Sequence, residues 1–390
     1  MKIDDFIKQP ITGVNAFNEL ALDADIWTQA HEQHHRHRWM HQIAAHRPGI
    51  VYGLEVVITD PKTVVVAPGV AVDDAGQTIV LSEPSAHTFK EHGQFYLTLE
   101  FEELLDGKSK VPVSGGEKPF RLIEGRRVQL SKRLPNGAYI ELARISRPPA
   151  DNPIREAINP FDPGPDELNL LHRPTAFPHC YADLGIAEIS FAPLQGNDYN
   201  AWKPNRAGLV HFLREANGAG FHATLLNQAR LTQETPTGAV ASTLLYIAGK
   251  DGFMPFSDAE IAGLSRHLGA GGTLMGEACG GSPGFAASFR ELAARLGATL
   301  SPVGMGHPLL TAHHIFPGPP PGAQSEGDLL ISDSVGVVLS TYDYGGAWQG
   351  LVPSDVTVAR ERIRQAHEFG RNVLAWAAQR QRRQELSRLR

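Results

Sequence analysis

Apolar and polar residues follow two different periods along the chain, and the change of period divides it into two parts. Between residues 50 and 145 apolar positions alternate with polar ones, as at Phe95, Leu97 and Leu99, and a period of two predicts half-buried strands. Beyond residue 180, short apolar runs alternate with segments of helical period. The first pattern is typical of an antiparallel β domain and the second of a parallel α/β sheet.

One long helix is predicted ahead of the strands. Residues 15–46 contain no helix breaker, Asn15 or Asn18 can cap the helix, and Pro48-Gly49 ends it. The strands that follow are separated by turn sequences such as Asp73-Asp74-Ala75-Gly76. The first part of the chain is therefore predicted to be a helix followed by an antiparallel β domain.

Candidate strands and helices alternate in the second part of the chain. Leu244–Ala248 and Thr273–Ala278 are apolar runs of the kind found in buried strands. Ser257 and Glu260 have the spacing of a capping box, which predicts a helix start. Residues 356–390 predict a long terminal helix. This order predicts an α/β domain with a mostly parallel sheet.

Prolines mark the boundary between the two parts. Eight of them lie between Pro148 and Pro178, where they exclude a periodic helix or central strand. We therefore predict an α+β multidomain chain with four segments. They are a helical segment at 1–48, an antiparallel β domain at 49–147, a Pro-rich linker at 148–180, and an α/β domain with a C-terminal helix at 181–390.

Composition excludes several classes of protein. The 390 residues predict more than one domain, and the net charge of -6 argues against a general affinity for nucleic acid. Two cysteines cannot build a disulfide scaffold or a multi-cysteine zinc site. We expect no membrane span, because no apolar run reaches about 18 residues. The start MKIDDFIKQP lacks the apolar region of a signal peptide, which predicts cytoplasmic synthesis.

Histidines are concentrated in the predicted N-terminal helix. Six of the 17 histidines lie between His31 and His46. Two pairs have the i,i+4 spacing that can chelate a metal on one helix face. The pairs are His31/His35 and His37/His41. Arginines on the same segment oppose a cation, so we predict neither a metal nor a cofactor for this chain.

A subunit interface is the other interpretation of this helix. Trp27, Trp39 and Met40 are anchors of the kind enriched at interfaces, and His34 and His41 lie near them in sequence. Histidines close to their ordinary pKa would gain charge together as the pH falls. A pH-sensitive contact and a merely solvated helix both stay open as hypotheses.

Four sequences follow one another in the first part of the chain. They are GIVYGLEV (Gly49–Val56), VVVAPGVAVDDAGQTIVL (Val64–Leu81), QFYLTLEFEE (Gln94–Glu103) and IELARI (Ile140–Ile145). In this order they resemble the N-terminal module of proteins encoded with contractile injection systems and phage-tail-like particles. The resemblance implies that the helical segment docks the chain to other particle proteins.

Four further sequences lie in the second part. They are Leu244–Gly281, GHPLL (Gly306–Leu310), STYDYGGAW (Ser340–Trp348) and HEFGRNVLAWA (His367–Ala377). Together they resemble an uncharacterised bacterial domain family with a class I glutamine amidotransferase-like fold. The resemblance implies a flavodoxin-like arrangement of strands and helices more than it implies a reaction.

Cys279 is the candidate nucleophile. It follows the predicted strand and precedes a helix, whose N-terminus would lower the pKa of a thiol. Amidotransferase-like enzymes carry Gly-x-Cys-x-Gly here, and Glu277 stands in place of the first glycine. His307 is the predicted base, with Glu277 or Asp343 as a third group. Alternatively, Cys279 is a buried packing residue and His307 a turn residue.

Two functions are consistent with these patterns. The first is a structural or interaction component of a phage-tail-like contractile injection particle, such as a baseplate, fibre or decoration protein, with other tail proteins and copies of itself as partners. The second is an amidohydrolase or amidotransferase-like enzyme that uses Cys279 and His307. The first interpretation is preferred, because Glu277 interrupts the nucleophile motif.

Overall fold

The chain divides into two compact units, of which the first comprises residues 1–179 with 389–390 and the second residues 180–388. A computed structural model describes residues 12–15, 17–45, 47–114, 116–150, 152–177, 183–192, 204–226, 242–353 and 355–389. The first unit has a helix and mostly antiparallel sheets, and the second has a mostly parallel sheet with helices. The predicted α+β class with two kinds of domain is therefore confirmed.

The first helix, α1, spans Ala24–Ala45. It begins later than the sequence predicts, because Asp23 and not Asn15 or Asn18 caps it. The Asp23 Oδ1 atom accepts a hydrogen bond from the Ile26 N–H at 2.9 Å, which satisfies a backbone donor of the first turn. Trp39 is the one buried residue among the described side chains of α1.

Mostly antiparallel strands build the rest of the first unit, and only the short pair β12–β13 among those described is parallel. Three sheets have the orders β1-β4-β5, β2-β3-β6 and β10-β7-β11. The strands are β1 (Gly49–Gly53), β2 (Val56–Asp60), β3 (Thr63–Val66), β4 (Gly69–Val72), β5 (Thr78–Leu81), β6 (Ser85–Thr88), β7 (Gly93–Leu105), β8 (Lys110–Val113), β9 (Gly116–Pro119), β10 (Leu122–Ser131), β11 (Ile140–Arg147), β12 (Arg155–Glu156) and β13 (Glu167–Leu168). Alternating strand residues such as Leu97, Leu99 and Ile145 meet in one core.

The Pro-rich segment predicted as a linker packs into this first unit. Ile154 and Leu168 join its core, and Arg147 forms a buried ion pair with Asp166 at 2.8 Å. Arg173 donates to the carbonyl oxygens of Gly53 (2.7 Å) and Leu54 (2.6 Å). Proline excludes helices from this segment but does not stop its other residues from packing. Linker is therefore the wrong description for the described residues 152–177.

The second unit is built on a seven-stranded sheet of order β15-β14-β16-β17-β20-β19-β18. Its strands are β14 (Asp183–Glu188), β15 (His222–Leu225), β16 (Leu244–Gly249), β17 (Thr273–Ala278), β18 (Ser301–Pro302), β19 (Leu329–Ser332) and β20 (Val337–Ser340). Its helices are α2 (Arg206–Gly218), α3 (Asp258–Gly269), α4 (Pro283–Arg295), α5 (Pro308–Thr311), α6 (Tyr344–Trp348) and α7 (Val356–Leu386). Strands β15, β14, β16, β17 and β20 are parallel, whereas β19 is antiparallel to both of its neighbours.

Both faces of this sheet are covered, as expected for parallel strands that are apolar throughout. One hydrophobic cluster joins Tyr246 and Met275 to residues of α2 and α7, including Trp376. The other joins Leu245 and Leu274 to residues of α3 and α4. Successive strand residues thus point to opposite faces, and the carboxyl ends of β16 and β17 lie side by side. No described helix is long and apolar enough to cross a membrane.

Candidate functional site

Buried polar side chains gather where β16 and β17 end. Tyr246 is in β16, Glu277 is in β17, and Cys279 begins the short 3₁₀ turn Cys279–Gly281 that follows β17. Asn205 precedes α2, and Asp343 precedes α6. All five side chains are at most 8% exposed, so this group, the carboxyl-edge cluster, is inside the second unit.

Asp343 connects three elements of the carboxyl-edge cluster. Its Oδ1 atom accepts hydrogen bonds from the Gly346 N–H (3.0 Å) and from Asn205 Nδ2 (3.1 Å). Its Oδ2 atom accepts one from the Gly280 N–H at 2.9 Å. The residue has a φ of 55°, a left-handed conformation that aspartate tolerates better than most residues. The three bonds hold the Cys279 turn, α2 and α6 together.

Glu277 is fully buried beside Asp343. Its Oε1 atom accepts a hydrogen bond from the Tyr344 N–H at 3.2 Å. Burial raises the pKa of Glu277 well above its ordinary value, and the nearby Asp343 carboxylate raises it further. Both effects favour the protonated, uncharged form of the Glu277 carboxyl.

The surroundings of Cys279 disfavour the reactive thiolate form of its side chain. Burial raises the pKa of its thiol far above the ordinary value, and Asp343 and Glu277 raise it further. The Sγ atom is 3.7 Å from the Glu277 carbonyl oxygen, to which the thiol donates. Since the thiolate is the nucleophile, a thiol held in this form is unreactive.

His307 lies elsewhere in the second unit. It caps the short helix α5, with Nδ1 accepting from the Leu309 N–H at 3.1 Å. Its Nε2 atom is 3.4 Å from Asp333 Oδ1, and its ring packs against Trp376. The two ring nitrogens of His307 therefore face Leu309 and Asp333.

The sheet topology separates His307 from Cys279. Asp333 directly follows β19, and the last residue of β19, Ser332, pairs with the first residue of β20, Val337. Val337 in turn pairs with Leu274 near the start of β17. Cys279 is five residues further along, or about 16 Å at the rise of a strand. The predicted catalytic pair is therefore not assembled, although Glu277 and Asp343 do lie beside Cys279.

The sequence analysis does not identify two members of the carboxyl-edge cluster, Asn205 and Tyr246. Asn205 occupies the N-cap position of α2, yet its side chain does not cap the helix. It donates to Asp343 and to the Tyr246 hydroxyl at 3.4 Å. An asparagine before a helix suggests a cap, and no local signal indicates that its partner is 138 residues away.

The predicted interface residues of α1 fall into two groups. Trp39 is 8% exposed and packs within the first unit, whereas Trp27 is 60% and Met40 37% exposed. His34 and His41 are exposed as well. The structure therefore leaves four of the five predicted residues accessible on α1.

A cleft of about 140 Å³ lies beside Trp39 within the first unit. It lies between α1 and the turn that joins β4 and β5. Its lining residues are His35, Arg36, Arg38, Trp39, Ala75, Gly76 and Gln77. Arg38 also forms an exposed ion pair with Glu124 at 3.6 Å. In the part of the chain that the structure describes, no three histidine, cysteine or acidic residues are grouped to hold a metal ion.

Comparison with solved structures gives a limited likeness. The chain is similar to a chain titled "Crystal structure of TssK", with 12% sequence identity and a TM-score of 0.25. The match covers 37% of this chain and 40% of that chain, so it spans well under half of either protein. No curated protein matches the sequence significantly.

A family model matches the second unit. The family is described as "Domain of unknown function (DUF4159)", and the match covers residues 190–378. These residues include most of the sheet, the carboxyl-edge cluster and His307. The C-terminal region of this chain is therefore similar to this family over just under half of the chain's length.

Proposed function

We propose that this protein is a structural and interaction component of a phage-tail-like contractile injection particle, and that it docks through α1. The proposal includes baseplate, fibre and decoration roles, with cytoplasmic synthesis before incorporation. It rests on the resemblance of the first part of the chain to such modules and on one structural observation, the exposed face of α1.

That face has the spacing of a helix-packing surface. Trp27, His31, His34, Arg38 and His41 follow one another at intervals of four and three residues, which places them on one side of a helix. All five are exposed, and the Trp27 and His31 rings are in edge contact at 4.9 Å between centroids. We call these five residues the α1 face.

The chemistry of the α1 face indicates its partner. An exposed tryptophan surrounded by polar side chains is the type of residue that dominates binding energy at interfaces. The same face carries three imidazoles and Arg38 further along the helix, so an acidic protein surface is electrostatically complementary to it. In this proposal the α1 face binds a tail protein, and the α/β unit is presented for further binding.

No observation favours the alternative enzyme. The thiol of Cys279 is buried with a raised pKa, and His307 lies with Asp333 at the other end of the sheet. A nucleophile and its base need to be within about 3 Å. The carboxyl-edge cluster is better explained as a polar anchor for α2, α6 and the turn after β17.

Co-sedimentation with purified particles tests the proposal. We expect the Trp27→Glu/His34→Glu variant to sediment with particles at least about ten-fold less than the wild type, because it removes the anchor and reverses the favourable charge. Met305→Glu is the matched control, since Met305 is 89% exposed in the second unit. The proposal is wrong if wild-type protein stays in the supernatant, or if both variants bind equally.

A further inference from the structure

Strand β7 extends beyond one of its two partners, β11. It has 13 residues, and β10 pairs with it out to Leu105. Strand β11 pairs with it only as far as Leu99. From Glu100 onward the sheet is therefore a two-stranded ribbon, which continues into the β8–β9 hairpin. We call its described residues, 100–114 and 116–127, the ribbon arm.

The ribbon arm has two open edges among the described strands. β10 is the last strand of its sheet, so its outer edge has no strand partner there. The outer edge of β7 is open from Glu100 to Leu105, a length of about 20 Å, which is that of an ordinary strand. Open edges offer backbone N–H and C=O groups for pairing with a further strand.

Both faces of the ribbon arm expose apolar side chains. Leu104 pairs with Ile123 on one face, and Leu105 pairs with Leu122 on the other. These four residues are between 47% and 64% exposed. Other exposed apolar residues of the arm are Val111, Val113 and Phe120. A two-stranded ribbon is marginally stable by itself, and a contiguous exposed apolar patch marks an interaction surface.

The β7 and β10 parts of the arm carry opposite charges. Strand β7 contributes Glu100, Glu102 and Glu103, with no basic residue in the same stretch. On the other side of the ribbon, Arg121, Arg126 and Arg127 precede or lie in β10. The one acid of β10, Glu124, is paired with Arg38. Over residues 100–105 and 121–127 the arm thus has an acidic edge and a basic edge, whereas the β8–β9 hairpin beyond them carries charges of both signs.

We propose that the ribbon arm joins copies of this chain, with the β7 edge of one copy pairing with the β10 edge of the next. This arrangement places opposite charges on neighbouring strands, which stabilises strand pairs, whereas pairing of two like edges would oppose like charges. It also sets the Leu104–Ile123 and Leu105–Leu122 pairs of one copy beside those of the next.

The contact is head-to-tail, so each copy uses two different edges. Such contacts generate a ring when the rotation closes and an open array when it does not. The inference deepens the proposed function and rests on it for its setting, because it names one partner within the assembly. It uses a different surface from the α1 face, so the two can fail separately.

A charge-swap experiment on the full chain tests the inference. One variant reverses the acidic edge (Glu102→Lys/Glu103→Lys), and the other reverses the basic edge (Arg121→Glu/Arg126→Glu). Both leave the Arg127–Glu100 and Arg38–Glu124 ion pairs in place. Sedimentation velocity and native mass spectrometry measure self-association, and Arg360→Glu on α7 is the matched control.

We expect the wild type and the control to self-associate and each swapped variant alone to associate at least about ten-fold more weakly. An equimolar mixture of the two swapped variants should restore association, because each acidic edge again meets a basic one. Restoration also shows that both variants are folded. The inference is overturned if the wild type is monomeric, if the swapped variants associate normally, or if the mixture does not recover.

The outcomes separate the inference from the proposed function. Wild-type protein that is monomeric yet sediments with particles would overturn the ribbon-arm contact alone. Protein that self-associates through the arm but does not sediment with particles would overturn the docking role alone.

Discussion

The Nε2 atom of His307 lies 3.4 Å from Asp333 Oδ1, at the end of the sheet opposite the one that Cys279 follows. This relationship arises because β19 runs antiparallel to β20, which returns the chain to the amino ends of the parallel strands. His307 therefore caps α5 and packs on Trp376, while the thiol it was predicted to activate is buried with Glu277 and Asp343.

Cys279 should react slowly in the folded protein. Because burial raises the pKa of its thiol, we expect modification by an aromatic disulfide at pH 8 to be at least about 100-fold slower than in urea-unfolded protein. The measurement uses a Cys180→Ser background, in which Cys279 is the only thiol. His307→Ala should leave this rate unchanged. Equal rates in the folded and unfolded protein would contradict the account.

Glu277 should make stability depend on pH. Its folded-state pKa lies well above the ordinary value of 4.5, so between these two values the folded state binds more protons than the unfolded state. The free energy of unfolding therefore falls as the pH rises through this window, by at most about 1.4 kcal/mol per pH unit. Glu277→Gln cannot lose a proton, so its stability relative to the wild type should increase with pH.

Urea unfolding at a series of pH values from 4 to 8 measures this difference. Below the ordinary glutamate pKa the wild type and Glu277→Gln should differ little, because both carry a neutral side chain. A difference that does not change with pH would show that Glu277 is ionised in the folded protein.

Asp343 should be the main contributor to the stability of the carboxyl-edge cluster. Asp343→Ala removes three hydrogen bonds and leaves alanine at a φ of 55°, so we expect a loss of about 2–4 kcal/mol in the free energy of unfolding. Asp343→Asn keeps a carbonyl acceptor and a residue that tolerates this conformation, so its loss should be smaller. Equal stability of the alanine variant and the wild type would refute this role.

Arg173 should attach the Pro-rich segment to the first unit. Burial lowers the pKa of Arg173 to about 10, and the guanidinium holds the carbonyl oxygens of Gly53 and Leu54 at once. Lysine cannot reproduce this two-fold contact. We expect Arg173→Lys to lose about 1.5–3 kcal/mol of unfolding free energy and to be cleaved faster by proteases between residues 152 and 177.

Arg155→Lys on the same segment is the matched control. The Arg155 side chain is 60% exposed in its ion pair with Glu167, so the change should stay within about 0.5 kcal/mol. If both variants are as stable as the wild type, the Pro-rich segment does not contribute to the fold in this way.

Local sequence signals predict the helices and strands of the second unit well, but they do not predict which side chains meet at the candidate site. The capping box of Ser257 and Glu260 is present, and β17 has the predicted bounds Thr273–Ala278, because both depend on neighbours in sequence. The start of α1 was missed because Asp23 competes with Asn15 and Asn18 as a cap. The local sequence does not indicate that His307 lies far from Cys279. That separation follows from the antiparallel direction of β19, which depends on strand pairing between residues distant in sequence.

Composition also misled the interpretation of the Pro-rich segment. Its prolines correctly exclude helices, but the contacts of Ile154, Leu168 and Arg173 are made with residues distant in sequence. The sequence does, by contrast, predict the helix that carries Trp27 and His34, and both side chains are exposed on it. Their role in docking stays a prediction.

The number of copies of this chain per purified phage-tail-like particle tests the central claim most directly. Quantitative mass spectrometry of washed particles, with isotope-labelled peptides of this chain as standards, provides that number. A structural component predicts a fixed whole-number ratio to the tail proteins that is the same in every preparation. A chain that is absent from the particles, or whose amount varies between preparations, would contradict the account.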